Sequence, residues 1–243
     1  MPQPFLFLAT PCHGGQVDIR YLRSVMSLEA ACEARGMGFH LELLEDDRLI
    51  ARARARLAAR FLAHPAASHM LFCDADIGFT PQTALRLLDA DKDLIAGVCP
   101  LKHLDFERLR AAAKAEAADL QAAALSYVVR FLPNAENALE VTDDGFARMA
   151  YVGTGFQLIR RAALERVVNA HPELAAELDE GPVAMVFEPM VEPETGQYLS
   201  EDYAFCRRHR DLGGEIWADV RSRFTHVGAT AYTGSLIEAL RRG

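Results

Sequence analysis

The chain has 243 residues, 51% hydrophobic and 25% charged, with a formal net charge of −8. That composition can bury a sizeable core, which excludes wholesale disorder, and the acidic balance argues against nucleic acid as the main partner. The five cysteines (Cys12, Cys32, Cys73, Cys99, Cys206) lie at least 20 residues apart and fit neither a disulfide framework nor a zinc knuckle. No apolar run approaches the roughly 18–20 residues that span a bilayer, so at most peripheral membrane association is expected. The opening Phe5-Leu6-Phe7-Leu8-Ala9 is too short for a signal-peptide core and lacks a basic start, so a cytoplasmic protein is expected. Only Lys92, Lys102 and Lys114 among the 26 basic residues are lysine, which together with the many alanines points to a GC-rich bacterial genome.

In chain order, Phe5 to Ala9 reads as a buried strand and Val17 to Arg35 as a helix ended by Gly36. Phe39 to Leu44 is a strand, Leu49 to Ala63 a helix closed before Pro65, and His69 to Cys73 a third strand. Gln82 to Leu88 is a short helix and Leu94 to Val98 a fourth strand. This alternation predicts a parallel, helix-covered sheet. The pattern then changes. Phe106 to Leu125 reads as one exposed helix. Tyr127 to Phe131, Leu139 to Val141 and Ala147 to Val152 read as short strands, and Leu164 to Leu178 as a helix around His171-Pro172. Gly181 to Gly196 reads as a long loop with one strand. Glu201 to Leu212 is a helix, Ile216 to Val220 a strand and Ser235 to Arg242 a terminal helix. With no repeat and no linker, one domain spanning 1–243 is expected, with a nucleotide-binding-like half (1–100) and a mixed half (101–243).

Asp-Ala-Asp occurs twice, and position separates the copies. Asp74-Ala75-Asp76 follows the apolar run Met70 to Cys73, at the carboxyl end of a strand, where open α/β sheets bind ligands. Asp89-Ala90-Asp91 follows a helix and reads as a solvated turn at the opposite edge. In an extended segment, residues two apart point the same way, so Asp74 and Asp76 can converge on one cation. Hard oxygen ligands suit Mg²⁺ or Mn²⁺; turn chemistry before the next helix is the alternative.

Ser200-Glu201-Asp202-Tyr203 opens a helix with a good cap and first-turn acids. On the wheel, Asp202 also falls on the side of Phe205, Cys206 and His209, where a carboxylate loses water and its pKa rises toward that of a general base. Arg54 falls within roughly 40° of Ile50 on the apolar stripe of its helix, whereas Arg52, Arg56 and Arg60 read as surface charges. A guanidinium there needs either a buried acid or an anionic ligand. Gly153-Thr154-Gly155-Phe156 joins two strands, and its glycines suit either close approach to a ligand or a plain bulge. His226 alone reads as an ordinary histidine.

These features in this order resemble the GT-A fold glycosyltransferases, which use nucleotide-diphosphate sugars, and small bacterial and viral members most of all. The similarity runs through Ala9 to Gly15, Arg52-Ala53-Arg54, Leu71 to Asp76, Gly153 to Phe156, Ser200 to Tyr203 and Thr225-His226. It implies a Rossmann-like single domain with a mixed, mostly parallel central sheet flanked by helices. It implies a metal-dependent transfer from a donor, UDP-linked by the frequency of UDP among similar families, to a glycan or lipid-linked acceptor. Thr10 and Pro11 would border the base, with Arg54 nearby. Asp74 would contact the ribose or the metal, while Asp76 and His226 would ligate Mn²⁺ or Mg²⁺. Gly153, Thr154 and Gly155, with Ala75 between the aspartates, would shape the donor pocket. Asp202 would be the base of an inverting reaction.

Three rivals remain from the residues. A haloacid-dehalogenase-type phosphatase also begins with an apolar strand and Asp-x-Asp, although Gly78 stands where that family carries Thr or Val. A non-catalytic nucleotide-sugar-binding module would need the metal site without Asp202. A nucleotidyltransferase would need a Gly- and Lys/Arg-rich loop after the first strand, which is not seen.

Overall fold

The computed structural model describes residues 3–132 and 140–240. The front half follows the expected alternation: β1 (Phe5–Cys12), α1 (Ile19–Ala34), β2 (Gly38–Glu45), α2 (Ile50–Ala63), β3 (His69–Cys73), a two-residue β4 (Ile77–Gly78), α3 (Pro81–Asp89) and β5 (Leu94–Gly97). The Asp18 carboxylate starts α1 by accepting the Arg20 N–H at 2.7 Å, and Pro81 opens α3 with its φ already helical.

The region expected as one helix over 106–125 is different. Strand β6 (Pro100–Leu104) precedes two helices, α4 (Phe106–Lys114) and α5 (Leu120–Ala124), followed by β7 (Leu125–Tyr127) and β8 (Val129–Phe131). Asp105 accepts the Glu107 and Arg108 amides and Asp119 accepts the Ala122 amide, so each aspartate starts its own helix. Glu116 between them has φ +51°, which ends the first. Of the strand expected at Leu139 to Val141, Leu139 lies outside the described residues and Val141 makes a single bridge to Ala147.

Next come β9 (Phe146–Val152), β10 (Phe156–Arg160) and α6 (Arg161–Ala170). The helix expected to reach Leu178 stops at His171, because Pro172 excludes helical geometry from the residue before it. The chain then forms a hairpin of β11 (Ala175–Leu178) and β12 (Gly181–Ala184). A second hairpin, β13 (Met190–Val191) with β14 (Tyr198–Leu199), replaces the expected loop. The end comprises α7 (Glu201–Asp211), β15 (Ile216–Asp219), β16 (Phe224–Val227), β17 (Ala231–Gly234) and α8 (Leu236–Leu240). Of the terminal helix expected at Ser235 to Arg242, Arg241 and Arg242 lie outside the described residues. No helix among the described residues is long and apolar enough to cross a membrane.

Eight strands form the central sheet in the order β2-β1-β3-β10-β5-β15-β9-β8. Six run the same way; β9 and β10 run against them. The sheet is therefore mixed and mostly parallel, as the resemblance implies. Strand alternation sorts the core into two layers. Phe7, Ala9, Met70, Phe72 and Ala96 pack with α2, α6 and α7. Leu6, Leu8, Leu71, Cys73 and Ile95 pack with α1 and α3.

Two pairings position the site. Because β10 is reversed, its first residue, Phe156, lies opposite Cys73, the last of β3, so Gly153 to Gly155 arrive at the sheet's carboxyl edge. The Asp74 amide donates to the Gly155 carbonyl at 3.0 Å. Separately, β4 pairs with β16 so that His226 lies opposite Ile77, and the Val227 amide donates to the Asp76 carbonyl at 2.9 Å.

Gly97, at the end of β5, has no room for a side chain. A Cβ there would lie 2.2 Å from the Phe224 ring and 3.0 Å from Phe156. Phe224 is buried and begins the strand that carries His226. Gly97→Ala should therefore cost about 1–3 kcal/mol of overpacking, read as a lowered urea midpoint at unchanged slope. An unshifted midpoint would show that the ring gives way freely.

Candidate active site

The first Asp-Ala-Asp is at the carboxyl edge, but its backbone is a turn, closed by the Ile77 amide donating to the Asp74 carbonyl at 3.0 Å. The extended geometry expected to make both carboxylates converge is therefore absent. Alternation along β3 continues into Asp74, which shares the face of Met70 and Phe72 and meets α2 there. Asp76 lies past the turn, among β16 and β6. The Ala75 carbonyl accepts the Asp18 amide at 2.9 Å, tying the turn to the start of α1. The second Asp-Ala-Asp is at the opposite edge, where Asp89 bonds to Arg35 at 2.9 Å.

Around Asp76 the structure gathers His226 and Lys102. His226 Nδ1 donates to the Pro100 carbonyl at 2.7 Å, which leaves Nε2 facing Asp76 Oδ1 at 3.2 Å. Oδ1 is buried and without a hydrogen bond, while Oδ2 is held by the Lys102 ammonium. Burial alone would push the Asp76 carboxyl up; the His226 and Lys102 contacts outweigh it and hold the group below its usual range. This donor set fits a divalent cation. One carboxylate oxygen has the imidazole as its only neighbouring partner, and the imidazole is oriented by a carbonyl on its far nitrogen, the usual support for a metal-binding histidine. Mg²⁺-like ions are commonly held by one or two carboxylates, with water and substrate phosphate completing the shell. Among the described residues no group of three or more His, Cys, Asp or Glu side chains is arranged around a metal position.

Asp74 belongs to a different cluster. Arg54, 4% exposed, donates from Nη2 to Asp74 at 3.3 Å and from Nε to Glu201 at 3.5 Å, with its guanidinium 5.3 Å from the Phe72 ring. Its third nitrogen, Nη1, is buried without a partner. Arg54 thus joins α2, the end of β3 and the start of α7. Its neighbours are not idle surface charges, as the sequence suggested. Arg52 and Arg56 bond to Asp47 at 2.9 and 3.2 Å, because the Asp47 side chain is buried just before α2 and needs cationic partners.

Asp202 lies in the first turn of α7. Ser200 occupies the cap position but makes no cap bond; its hydroxyl donates instead to Asp202 Oδ1, which also accepts the Tyr203 amide at 2.8 Å. Oδ2 faces Gly153, where an added Cβ would sit 3.6 Å away. Gly155 is tighter, since a Cβ there would come within 3.3 Å of Asp74 Oδ2. The loop before α7 is anchored by the buried Glu192, which accepts from Tyr151 at 2.8 Å, Thr195 at 2.5 Å and Arg207 at 2.9 Å.

Two spaces meet here. An open groove of about 920 Å³ runs past Pro11, Asp47, Ala75, Asp76 and Lys102. A cavity of about 200 Å³ is lined by Gly153, Thr154, Gly155 and Asp202. Arg54, Asp74, Glu201 and His226 line both. The Thr154 hydroxyl is buried without a partner. Thr10 is the exception among the expected site residues: its hydroxyl is turned into the core and bonded to Tyr21 at 2.6 Å. Lys102, Glu201 and Asp47 are site residues that sequence reasoning missed. For Lys102 the available signal was its rarity as one of three lysines.

No family model matches the chain, and no curated protein matches it. Among solved structures the chain is similar to A197 from STIV, at 16% identity and a TM-score of 0.52, over 93% of this chain and 86% of that one. The catalytic domain of Drosophila β1,4-galactosyltransferase 7 complexed with xylobiose aligns at 14% identity and a TM-score of 0.45, over 94% and 68%. A mutant of that enzyme complexed with manganese, UDP-Gal and xylobiose aligns at 12% and 0.46, over 92% and 71%. Likeness at such identities concerns the fold alone.

Removing Arg54 would leave Asp74 and Glu201, 31% and 16% exposed, without their cation. Arg54→Ala should lower unfolding free energy by about 1–3 kcal/mol, read by urea denaturation at neutral pH. A change within about 0.5 kcal/mol would mean that the two acids are already satisfied by water.

Glu192 carries a pH signature. Hydrogen bonds from Thr195, Tyr151 and Arg207 push its carboxyl down to about 2. Its contribution to stability is therefore complete above the ordinary glutamate range and is lost as pH falls toward 2. Glu192→Gln should lower the denaturation midpoint most above pH 5, with the gap to wild type closing in acid. A gap independent of pH would assign the loss to shape rather than charge.

Proposed function

We propose that the protein is a metal-dependent glycosyltransferase, moving a sugar from a nucleotide-diphosphate donor, UDP-linked, to a glycan or lipid-linked acceptor. The observation that carries this reading is the pairing of two half-used carboxylates at one place. Asp76 has a buried, unbonded Oδ1 beside an oriented imidazole. Asp202 has one oxygen held by Ser200 and Tyr203 and the other facing Gly153. The spaces they line share His226 and Arg54 as wall.

In this reading the groove takes the nucleotide and its diphosphate, with Pro11 and Ala75 on its wall, and the cavity takes the transferred sugar. A cavity of about 200 Å³ has the volume of roughly six or seven waters, which suits one sugar ring. The unpartnered Thr154 hydroxyl and Arg54 Nη1 offer it hydrogen bonds that the protein leaves unmade. Asp76 and His226 would hold Mn²⁺ or Mg²⁺, which supplies Lewis-acid neutralisation of the charge that builds on the leaving diphosphate. Asp202 Oδ2 takes the proton of the acceptor hydroxyl. Its other oxygen is fixed by two donors, so the carboxylate is aimed before the acceptor arrives. Gly153 leaves the approach to Oδ2 uncovered. A base on the acceptor side corresponds to in-line attack with inversion. Residues 1–100 then form the nucleotide half of one domain, and 101–243 supply the acceptor side and His226. A phosphatase using Asp74 as nucleophile is disfavoured, because Arg54 holds that carboxylate.

The test pairs two variants. Nucleotide diphosphates are screened by thermal shift with and without Mn²⁺, and transfer is then followed from the donor that binds. Asp76→Ala should abolish Mn²⁺-dependent binding. Asp202→Asn should keep donor and metal binding while turnover falls about 10²–10⁴-fold. Near-normal turnover in Asp202→Asn would leave the inverting mechanism without a base, and failure of every nucleotide diphosphate to bind would end the transferase reading.

A further inference from the structure

Lys102 is the remaining charged group at Asp76, and nothing in the mechanism above uses it. It lies on β6, two residues after Pro100, whose carbonyl orients His226. One short strand therefore places both a hydrogen-bond acceptor for the imidazole and a cation on the carboxylate. The Lys102 stem lies over Gly228, where an added Cβ would be 3.1 Å from its Cδ. The ammonium contacts Asp76 Oδ2 and lines the groove.

Most cations at that groove are committed to acids. Asp18, Asp47, Asp74, Asp76 and Glu201 line it, and Arg20 pairs with Asp18, and Arg52 and Arg56 with Asp47, from outside the lining. Arg54 is already shared between Asp74 and Glu201. A diphosphate entering the groove needs cations that the acids have not taken.

Resting on the transferase reading, we propose that Lys102 is an exchangeable cation. It neutralises Asp76 when no metal is bound, and it is released to the diphosphate when a divalent cation takes Asp76. Lys102 thereby competes with the metal and assists the donor, which makes metal and diphosphate binding mutually reinforcing. No bond is made or broken; one ion pair is exchanged for two.

The opposite signs provide the test. Mn²⁺ affinity is measured by calorimetry without nucleotide, and the affinities of UDP and of inorganic pyrophosphate at saturating Mn²⁺, for wild type, Lys102→Met and Lys102→Arg. The methionine variant keeps the stem and loses the charge. It should bind Mn²⁺ about three- to fivefold more tightly and both diphosphates about three- to fivefold more weakly, as expected for one partly exposed ion pair gained or lost. Lys102→Arg should stay within about twofold of wild type in both. A damaged fold would weaken both affinities together. Shifts of the same sign, or no shift in either, overturn the proposal. Binding of pyrophosphate but not UDP, with the two opposite shifts present, would remove the nucleotide assignment and keep Lys102. The same shifts without any glycosyl transfer would remove the transferase reading alone. Absence of Mn²⁺ binding in both wild type and Lys102→Met would remove the metal site and this proposal together.

Discussion

One backbone hydrogen bond holds the candidate site together: the Asp74 amide donating to the Gly155 carbonyl. It exists because β10 runs backwards between β3 and β5, so that the start of one strand meets the end of another. In a wholly parallel sheet the carboxyl edge collects only strand ends. Reversing one strand adds a strand entry, and here that entry is Gly153-Thr154-Gly155. The joint is tight at Gly155, where a side chain would press on Asp74, while a Cβ at Gly153 would only touch Asp202. The site is thus built where topology changes, with its polar groups on turns and its apolar support on strands.

Charge organises the next layer. Taking a guanidinium out of water is costly unless it is paired, and Arg54 is paired twice. Each partner comes from a different element, so the ion cluster ties α2, the end of β3 and the start of α7 in a way that apolar contact alone would not specify. Asp47 repeats the arrangement at the head of α2 with Arg52 and Arg56. The helix between these clusters presents one face to the core and its arginines to acids on both flanks.

The second group of site residues depends on strands that the local sequence does not mark. Strand β4 has two residues and β6 five. β4 lacks the length of an independent element and β6 lacks an apolar run, yet β4 sets His226 beside Asp76 and β6 sets the Pro100 carbonyl behind the imidazole. Such strands persist because β16 offers a hydrogen-bonding edge to β4 and β7 offers one to β6, a non-local gain that outweighs weak local preference.

The sequence by itself determined the front half of the fold. From β1 to β5 its buried strands are unbroken apolar runs and its helices carry clear stripes, and such patterns are local. It also determined which Asp-Ala-Asp stands at the carboxyl edge and that Arg54 points inward, since both follow from position within an element. Tertiary structure decided the rest. The alanine-rich stretch after Asp105 has helical composition throughout, and the left-handed Glu116 with the second cap at Asp119 divides it. Alternation implied that Asp74 and Asp76 act as a pair; the turn after Asp74 separates them and gives each its own partners. Ser200 reads as a cap, but its hydroxyl has a nearer acceptor in Asp202. The resemblance puts Thr10 beside the base, but strand alternation and Tyr21 draw it into the core. His226 carries no local signal and Lys102 only its rarity, because what makes them site residues is a carbonyl and a carboxylate far away in the chain, and contacts between distant residues leave no periodicity to read.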